Sequence, residues 1–349
     1  MYASLKYPSR FSPASRTLPL SRQRGAVLIL ALLIVALVAG LGIKFASDYQ
    51  LGLARAEGRW NGAQARVYSF SGEGVALTLL SKDNTPNYDY QDEWPDFVVP
   101  TDGGTIAVRI IDANSQLNLN NLLISQPNQP ILNSVAAPLD STRYTPPQRM
   151  FIRLLQLFPD MVHSTNEAVD ILEAIVDWAD GDDTLSGPNS AENSYYLGLA
   201  DPYLPANVGF RSVEELQLVR GITPELMKAL RPYITIISSS KGMNVNTMQP
   251  LLYRCINVST DLKPLGAAEA EKLMGGLQQG PYKDMGEFEA EVNKVLAGAG
   301  GVDLQGLSTS TDMVWLQSQA DIGSQRRMGR SLLERGTPLF KVIRREEIY

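Results

Sequence analysis

The feature that most limits how this chain can fold is an uncharged, mostly apolar run of 18 residues, 26–43, directly after Gly25. As an α-helix at 1.5 Å per residue it is about 27 Å long, which is marginally enough to span the hydrocarbon core of a membrane. The segment before it has no acidic residue and five basic ones: Lys6, Arg10, Arg16, Arg22 and Arg24. The positive-inside rule therefore predicts that residues 1–24 stay in the cytoplasm and that the rest of the chain crosses the membrane.

Two simpler interpretations of this run remain open on sequence alone, a cleaved secretory signal and a plain signal anchor. A secretory signal has a shorter apolar core and a small-x-small cleavage site, and LVAGLGIK (37–44) contains no clean one. The helical pattern continues beyond the membrane-spanning length, so we expect one helix from residue 26 to about residue 80. Five glycines between residues 52 and 74 weaken this helix and predict local bends.

A basic leader, a glycine, an apolar helix and an amphipathic extension together resemble the type IV pilin and pseudopilin family. The resemblance implies cleavage between Gly25 and Ala26 by a prepilin peptidase, N-methylation of the new amine, and assembly into a helical filament. Most members have Glu at the fifth mature position, where this sequence has Leu30. In the family that carboxylate neutralises the amine of the subunit above it. Because an unpaired charge in lipid is costly, its absence points to the subunit at the tip. A mature start at Ala26 instead of the common Phe is a small departure from the family, and it weakens the prediction of methylation more than the prediction of cleavage.

The composition argues against several classes of protein. The 349 residues carry a net charge of −6, which leaves no excess of Lys and Arg for a general nucleic-acid binder. The single histidine, His163, makes a His-based metal site or catalytic triad improbable, and we expect it at the surface beside a helix cap. The single cysteine, Cys255, allows no internal disulfide and is expected to be a buried thiol.

Strand-like sequence frames a long helical segment. Residues 105–112 read as a strand, and further strand-like runs occupy residues 313–322, 325–336 and 339–349, whereas residues 81–104 form a turn-rich linker. The pattern between residues 120 and 300 is helical. This order predicts an α+β fold, in which a pilin-like long N-terminal helix packs on an antiparallel sheet that a large all-α insertion domain interrupts. From Ser324 onward the chain has seven basic and three acidic residues, which is typical of strands with charged outer faces.

We divide the chain into a leader (1–25), a membrane and filament helix (26–43), a pilin-like α/β domain (44–118 and 302–349) and an α-helical insertion (119–301). The insertion contains a weak repeat, ANSQLNLNNLL (113–123) and SKGMNVNTMQPLL (240–252). In both copies the aliphatic residue is expected to be buried and the first asparagine to make turn bonds, while a later polar residue caps the next helix. The aliphatic residues are Leu119 and Val245, and the first asparagines are Asn118 and Asn244. The capping residue is Asn120 or Asn121 in the first copy and Asn246 or Thr247 in the second.

The most informative internal stretch is STNEAVDILEAIVDWADGDD (164–183) with the loop after it. Ser164 and Glu167 form a capping box at the start of an amphipathic helix. Four carboxylates within seven residues follow at the C-terminal end of this helix, where they oppose its dipole: Asp177, Asp180, Asp182 and Asp183. A calcium ion with oxygen ligands would compensate them. The spacing is not that of an EF-hand, so a calcium site and a solvated acidic loop both remain open on the residues alone.

The string DWADGDD…GPNSAENSYY…LPANVGFRSVEELQLVRGIT…NVNT is similar to the central domain of the type II secretion system protein K family, the large minor pseudopilins. The resemblance covers the amino-terminal helix and most of the insertion. Family members bind calcium in this domain, which implies Asp177, Asp180, Asp182, Asp183 and Glu192 as the ligands here. The structural cysteine pair of the family has no counterpart, since Cys255 is alone.

The resemblance also implies what the chain does. It would be a non-enzymatic, single-pass protein of a Gram-negative inner membrane, with its C-terminal domain in the periplasm. Its partners would be the other minor pseudopilins, of the I and J types, the prepilin peptidase, the inner-membrane platform of the type II secretion system, and exported substrates. At the tip it would initiate a short pseudopilus that exports folded proteins across the outer membrane.

Two other functions compete with this one. Residues 210–235, FRSVEELQLVRGITPELMKALRPYIT, resemble a helix-hairpin-helix (SAM-like) unit, in which a capping box at Ser212 and Glu215 begins the first helix. Residues 263–292 resemble the same unit more weakly. Such units often bind DNA, which would suit a membrane-anchored DNA-uptake protein. However, residues 165–235 contain 12 acidic and four basic residues, so we interpret the hairpin as a packing unit. A membrane-anchored hydrolase could use Asp180 and Asp182 as an acid–base pair, but no nucleophile or metalloprotease motif accompanies them.

Overall fold

The computed structural model describes residues 23–81, 89, 94–124, 132, 136–296, 301–336 and 340–348. The chain divides into two compact units, Met1–Asn61 and Gly62–Tyr349. The described part of the first unit is the beginning of helix α1 (Gln23–Leu80), and the second unit contains the remainder of α1 and all the other elements. One uninterrupted helix confirms the prediction of a helix from residue 26 to about residue 80.

Six more α-helices and nine strands follow in the described part of the chain. The helices are α2 (Pro146–Leu155), α3 (Thr165–Ala179), α4 (Asn193–Leu197), α5 (Pro224–Leu230), α6 (Ala267–Gly276) and α7 (Met285–Val295). The strands are β1 (Phe97–Thr101), β2 (Gly104–Asp112), β3 (Leu117–Asn118), β4 (Ile234–Thr235), β5 (Met243–Asn244), β6 (Leu307–Ser308), β7 (Met313–Ile322), β8 (Gln325–Arg335) and β9 (Phe340–Ile348). Short 3₁₀ helices occupy Ala113–Ser115, Leu119–Leu123, Ser141–Arg143, Val213–Leu218, Pro250–Cys255 and Leu277–Gln279.

Five strands form one antiparallel sheet in the order β1-β2-β7-β8-β9. Strands β2, β7, β8 and β9 confirm the four strands that the sequence predicted. Strand β1 corrects the prediction of a turn-rich linker, because residues 97–101 pair with β2. This strand is short, contains Pro100 and lies at the sheet edge, where a missing backbone N–H removes few ladder hydrogen bonds.

From Gly62 onward, α1 packs on one face of this sheet. Its buried residues Ala65, Ala76 and Leu80 belong to one apolar cluster with side chains of β2, β7 and β8. At Gly72 an added Cβ would lie 2.6 Å from Cγ2 of Val108 and 2.9 Å from Oγ of Ser318, so the helix can approach the sheet this closely only with glycine there.

The next residue of α1, Glu73, makes the polar contact of this interface. Its carboxylate accepts a hydrogen bond of 2.6 Å from Ser331 on β8 and bonds of 2.8 and 2.7 Å from the guanidinium of Arg345 on β9. Glu73 is only 8% exposed, so these donors replace the water that the carboxylate loses on packing. The helix is thereby fixed in register on two strands.

The chain between β2 and β7 forms a separate, larger apolar cluster built mainly from helices. The prediction that the insertion (119–301) is wholly α-helical is wrong in detail, because it contains the short strands β4 and β5 and several 3₁₀ helices. Strand β3 pairs with β4, and β5 pairs with β6, each through two residues on a side. Cys255 is fully buried in this cluster, as predicted, and burial raises the pKa of its thiol to about 12.

The weak repeat is visible as two similar turns. Leu119 and Val245 are fully buried, which confirms the prediction. Each first asparagine makes the turn bond with its side chain, Asn118 to the amide of Asn120 (3.2 Å) and Asn244 to the amide of Asn246 (3.0 Å). Asn118 is also the N-cap of the 3₁₀ helix that follows. Asn120 and Asn246 do not act as those caps, and instead donate to carbonyls of Phe210 and of Tyr282 and Thr309.

Two neighbouring glycines of α1 allow a matched test of the helix–sheet contact. We expect Gly72→Ala to lower the free energy of unfolding by about 1–2 kcal/mol, because the new methyl group overpacks the interface. In contrast, Gly74, whose added Cβ would meet nothing within 4 Å, should gain about 0.5–1 kcal/mol on substitution by alanine. Thermal unfolding of the full chain in neutral detergent, followed by circular dichroism, measures both. An equal rise in melting temperature for the two variants would contradict this packing.

Candidate functional site

The amino-terminal part of α1 has the properties of a membrane segment. It is the one helix in the described part of the chain that is long and apolar enough to cross a membrane, judged by length and composition. Its large apolar side chains from Val27 to Ile43 are between 50 and 73% exposed, so they need lipid or other helices around them. Gly25 and Ala26, the predicted processing site, lie within this helix and are exposed. Of the predicted leader, residues 1–22 lie outside the described residues.

The second candidate site is built at the end of α3. Ser164 caps the helix by accepting from the amide of Glu167 (3.2 Å). The return bond of the predicted capping box goes one residue further back, since the Glu167 carboxylate accepts from the amide of His163 (2.7 Å). His163 itself is exposed, as predicted. The predicted apolar face of α3 is buried throughout: Ile171, Leu172, Ile175 and Trp178.

Three of the five predicted metal ligands come together where α3 ends. Carboxylate oxygens of Asp180, Asp182 and Glu192 all lie within 4.8 Å of one another. Asp180 is the C-cap of α3, and Glu192 is the N-cap of α4. The loop between the two helices therefore closes on itself and brings these charges together. It is held by hydrogen bonds from the amide of Thr184 to Asp182 (2.8 Å) and from the amide of Ser186 to Asp177 (3.0 Å).

The other two predicted ligands lie beside this group. Asp177 is fully buried one turn earlier in α3, and one of its oxygens is used by Ser186. Asp183 is exposed. Neither belongs to the group of three whose oxygens converge within the described part of the chain. Both still act on that group electrostatically, since Asp177 and Asp183 contribute to the raised pKa of Glu192.

Several carboxylate oxygens at this loop have no hydrogen-bond donor in the part of the chain that the structure describes. Among the described residues, Oδ2 of Asp177, Oδ1 of Asp180 and Oε1 of Glu192 are buried and have no hydrogen-bond partner. Burial and the adjacent Asp182 and Asp177 raise the pKa of Asp180 to about 6. Burial and Asp177 raise the pKa of Glu192 to about 7. Converging, unsatisfied carboxylate oxygens are the donor set that a hard divalent cation prefers, so these residues fit calcium.

Sequence reasoning missed a buried ion pair beneath this loop. Glu173, one turn before Asp177, is fully buried and receives Nε of Arg143 at 2.8 Å. Gly187 passes so close that an added Cβ would lie 1.6 Å from Oε2 of Glu173. The available signal in the sequence was the spacing of Glu173 and Asp177. They are four residues apart, and so on the same side of a helix that is otherwise buried on most sides. The partner, Arg143, lies 30 residues away and has no local signal.

The aromatic residues near the loop pack as a core. Trp178 and Tyr196 are buried, and their rings meet edge to face at a centroid distance of 5.2 Å. Tyr196 also packs against Tyr203 at 5.3 Å. These aromatic rings therefore pack against one another and support α4 beside the acidic loop.

Comparison with known proteins identifies the family of this chain. The family model of type II secretion system protein K matches residues 115–239. A type II secretion system protein K of Aeromonas hydrophila is 29% identical over 321 residues, covering 90% of this chain and 94% of the relative. That of Pectobacterium carotovorum is 32% identical over 234 residues, covering 65% of this chain and 67% of the relative.

A solved structure has a similar fold. It is described as the crystal structure of the GspK-GspI-GspJ complex from the type 2 secretion system of enterotoxigenic Escherichia coli. The TM-score is 0.62 at 21% identity, and the match covers 84% of this chain and 99% of that one. At this identity the likeness concerns the fold, a long amino-terminal helix with an antiparallel sheet and helices. The sequence relatives show that the chain belongs to the type II secretion system protein K family and is the minor pseudopilin that its sequence predicts.

Proposed function

We propose that this protein sits at the tip of the type II secretion pseudopilus, where it initiates assembly and supports the export of folded proteins across the outer membrane. The observation that carries this proposal is a pilin-like helix and sheet interrupted by a large helical insertion between Asp112 and Met313. A body of this size cannot be accommodated at every step of a closely packed helical filament. It therefore suits the end of the filament rather than its shaft.

The first residues of α1 support the same position. In a shaft subunit, a carboxylate at the fifth mature position pairs with the amine of the subunit above. Here that position is Leu30, which is 58% exposed and carries no charge. A terminal subunit has no amine above it, and an unpaired carboxylate in lipid would be costly. An apolar residue is therefore the stable choice at the tip.

The expected history of the protein follows from this helix. It is anchored in the inner membrane by residues 26–43, with the C-terminal part in the periplasm, and is cut between Gly25 and Ala26 by a prepilin peptidase. The new amine at Ala26 is then a substrate for methylation. After extraction by the inner-membrane platform, the exposed apolar side chains exchange lipid for the helices of neighbouring subunits. The similar solved structure is a complex with GspI and GspJ, and we infer partners of these two types here.

We propose a structural calcium site in the acidic loop. Asp180, Asp182 and Glu192 would form the centre of the ligand set, with Asp177 and Asp183 completing it. The ion would supply positive charge at the C-terminal end of α3, where the dipole and the carboxylates are all negative. The chain's own residues hold the loop closed around this point through the caps at Asp180 and Glu192.

We interpret the remainder of the insertion as packing units without catalytic or DNA-binding function. The residues 212–230 form a 3₁₀ helix with a capping box at Ser212 and Glu215, a turn at Gly221, and α5 capped by Thr223. This arrangement supports the predicted hairpin, with the insertion at about residues 119–301 between two parts of a pilin-like domain. The acidic charge around the hairpin disfavours phosphate binding.

Processing is tested by the mass of the protein. The intact mass of the chain extracted from membranes that contain the secretion system should correspond to a start at Ala26, with or without one methyl group. Gly25→Leu should leave the leader attached, whereas Gly40→Leu in the same helix should not. Minor pseudopilins of the I and J types should co-purify with the cut form. A full-length wild-type chain without such partners would support a plain anchor instead.

Calcium is tested by removing it and by removing its ligands. A chelator should lower the melting temperature of the full chain in neutral detergent, and calcium should restore it. In Asp180→Asn and Glu192→Gln this calcium response should fall at least about tenfold in apparent affinity, because each loses a charged ligand. Asp160→Asn, an exposed carboxylate outside the loop, is the matched control. An unchanged melting temperature on chelation of the wild type would contradict the site.

The raised pKa values predict how calcium stabilisation depends on pH. Asp180 and Glu192 titrate near 6 and 7 in the fold, against ordinary values of 3.8 and 4.5. In the metal-free chain these two carboxylates therefore bind more protons in the folded than in the unfolded state between about pH 4 and 7, and the stability that they contribute falls as the pH rises through this window. Calcium needs the deprotonated carboxylates, so its effect on the melting temperature should be larger at pH 7.5 than at pH 5. The Asp180→Asn, Glu192→Gln double variant should show no such difference.

A further inference from the structure

The face of the sheet opposite α1 forms one wall of a polar cleft. Trp315 of β7, Arg330 of β8, and Arg344 and Glu346 of β9 line it from the sheet. The other wall comes from the insertion, through the residues at the start of the 3₁₀ helix 213–218, the end of α5 and β4. The cleft has a volume of about 260 Å³. We call it the arginine cleft, because four arginines line it: Arg211, Arg231, Arg330 and Arg344.

Two of these arginines lie against the same aromatic ring. The guanidinium carbon of Arg330 lies 3.5 Å from the ring centroid of Trp315, and that of Arg344 lies 4.9 Å from the same centroid. Trp315 is only 3% exposed. Stacking on a buried indole orients the cations and reduces the entropy that they lose on binding an anion.

Arg330 and Trp315 also contain hydrogen-bond donors that have no acceptor in the described part of the chain. Among the described residues, Nε of Arg330 and Nε1 of Trp315 are buried and have no partner. Buried donors without an acceptor are rare in folded proteins, because each costs the hydration that it has lost. Both residues line the arginine cleft, so its wall contains two donors that have lost their hydration without gaining an acceptor.

The charges in the cleft do not balance. Glu214 pairs with Arg231 at 2.7 Å, and Glu346 pairs with Arg344 at 2.8 Å. No carboxylate pairs with Arg330 within the part of the chain that the structure describes. Burial, with Arg344 and Arg231 nearby, lowers the pKa of Arg330 to about 10, although Glu346 and Glu214 oppose this shift. The cleft thus holds two more cations than anions, in a chain whose net charge is −6.

We propose that the arginine cleft binds a carboxylate-bearing segment of another polypeptide. A carboxylate offers two acceptor oxygens and matches the guanidinium groups in geometry. The excess of two positive charges suits one or two acidic side chains, while Glu214 and Glu346 repel a polyanion such as nucleic acid. The cleft, about 260 Å³ in volume, has room for side chains presented by an extended peptide. The proposal does not depend on the position of the protein in the pseudopilus.

The test uses a short peptide and the full chain in neutral detergent. The probe is a dye-labelled, end-blocked Gly-Glu-Gly-Glu-Gly peptide, and binding is followed by fluorescence anisotropy at low salt. We expect saturable binding that weakens as salt is added, and no binding of the same peptide with glutamine in place of glutamate. Arg330→Gln and Arg344→Gln should each weaken binding about tenfold, and Glu346→Gln should tighten it about threefold.

Matched variants keep the test decisive. Arg326, on the same strand as Arg330, pairs with Asp321 at 2.6 Å and does not line the cleft, so Arg326→Gln should bind like the wild type. Arg344 has a side chain 41% exposed, so its variant remains informative if Arg330→Gln lowers the melting temperature. Equal affinity for the glutamine peptide, or unchanged affinity in Arg344→Gln, would overturn the proposal. Competition by inorganic phosphate or a short oligonucleotide at the concentration of the peptide would overturn the assignment to a polypeptide.

Discussion

A buried carboxylate at the end of β2 holds the inserted segment on the sheet. Asp112 is 1% exposed and accepts from the amide of Asn114 (2.7 Å), from Asn244 (2.8 Å) and from Thr247 (2.6 Å). The chain leaves the sheet after Asp112 and returns to pair beside it, where Asp112 lies opposite Val314. Burial raises the pKa of Asp112 above its usual range, and the hydrogen bonds oppose that rise. Donors from the start and from the middle of the inserted segment thus meet on one acceptor, and without them that acceptor would be buried unpaired.

The same junction receives a third part of the chain. The side chain of Asn244 also donates to the carbonyl of Asp89 (3.0 Å), and the Asp89 carboxylate accepts from the amide of Thr311 (2.8 Å) and pairs with Arg335 of β8. The segment before β1, the middle of the insertion and two strands therefore share one polar network. Closing so long an insertion costs loop entropy, which rises only slowly with length, so a compact network at its base is sufficient to hold both ends. The insertion can then carry sites of its own while the sheet keeps its order.

Local patterns made much of this fold predictable. Alternating residues located β2, β7, β8 and β9, and continuous helical sequence located α1, because both signals lie within a few neighbouring residues. The missed strand β1 has only five residues and includes Pro100, so its pairing depends on β2 rather than on its own sequence. The insertion was expected to be wholly α-helical, but its short strands pair over long separations in sequence, which no local period reports.

The candidate sites also differ in how far the sequence could predict them, and for the same reason. The acidic loop was visible in the sequence because its carboxylates are close together along the chain, and three of them do converge. The buried partner pair of Arg143 and Glu173 was not visible, because the two residues are 30 positions apart. The arginine cleft was even less accessible to such reasoning. Arg231 and Arg330 meet there from different elements, and the C-terminal strands alone indicated only a charged outer face.

The two arginines near the acidic loop are engaged by other groups. Arg143 is engaged by Glu173, beneath the loop, and also donates to the carbonyl of Ala136 (3.1 Å). Arg220 stacks on Tyr195 at 4.7 Å and donates to the carbonyl of Ser190 (3.0 Å). Both guanidinium groups thus stabilise the frame of the loop rather than its converging carboxylates. If an arginine neutralised Asp180 and Glu192, their pKa values would fall, whereas burial and mutual repulsion raise them. A loop that is negative and short of donors is the physical basis of the calcium site that we propose.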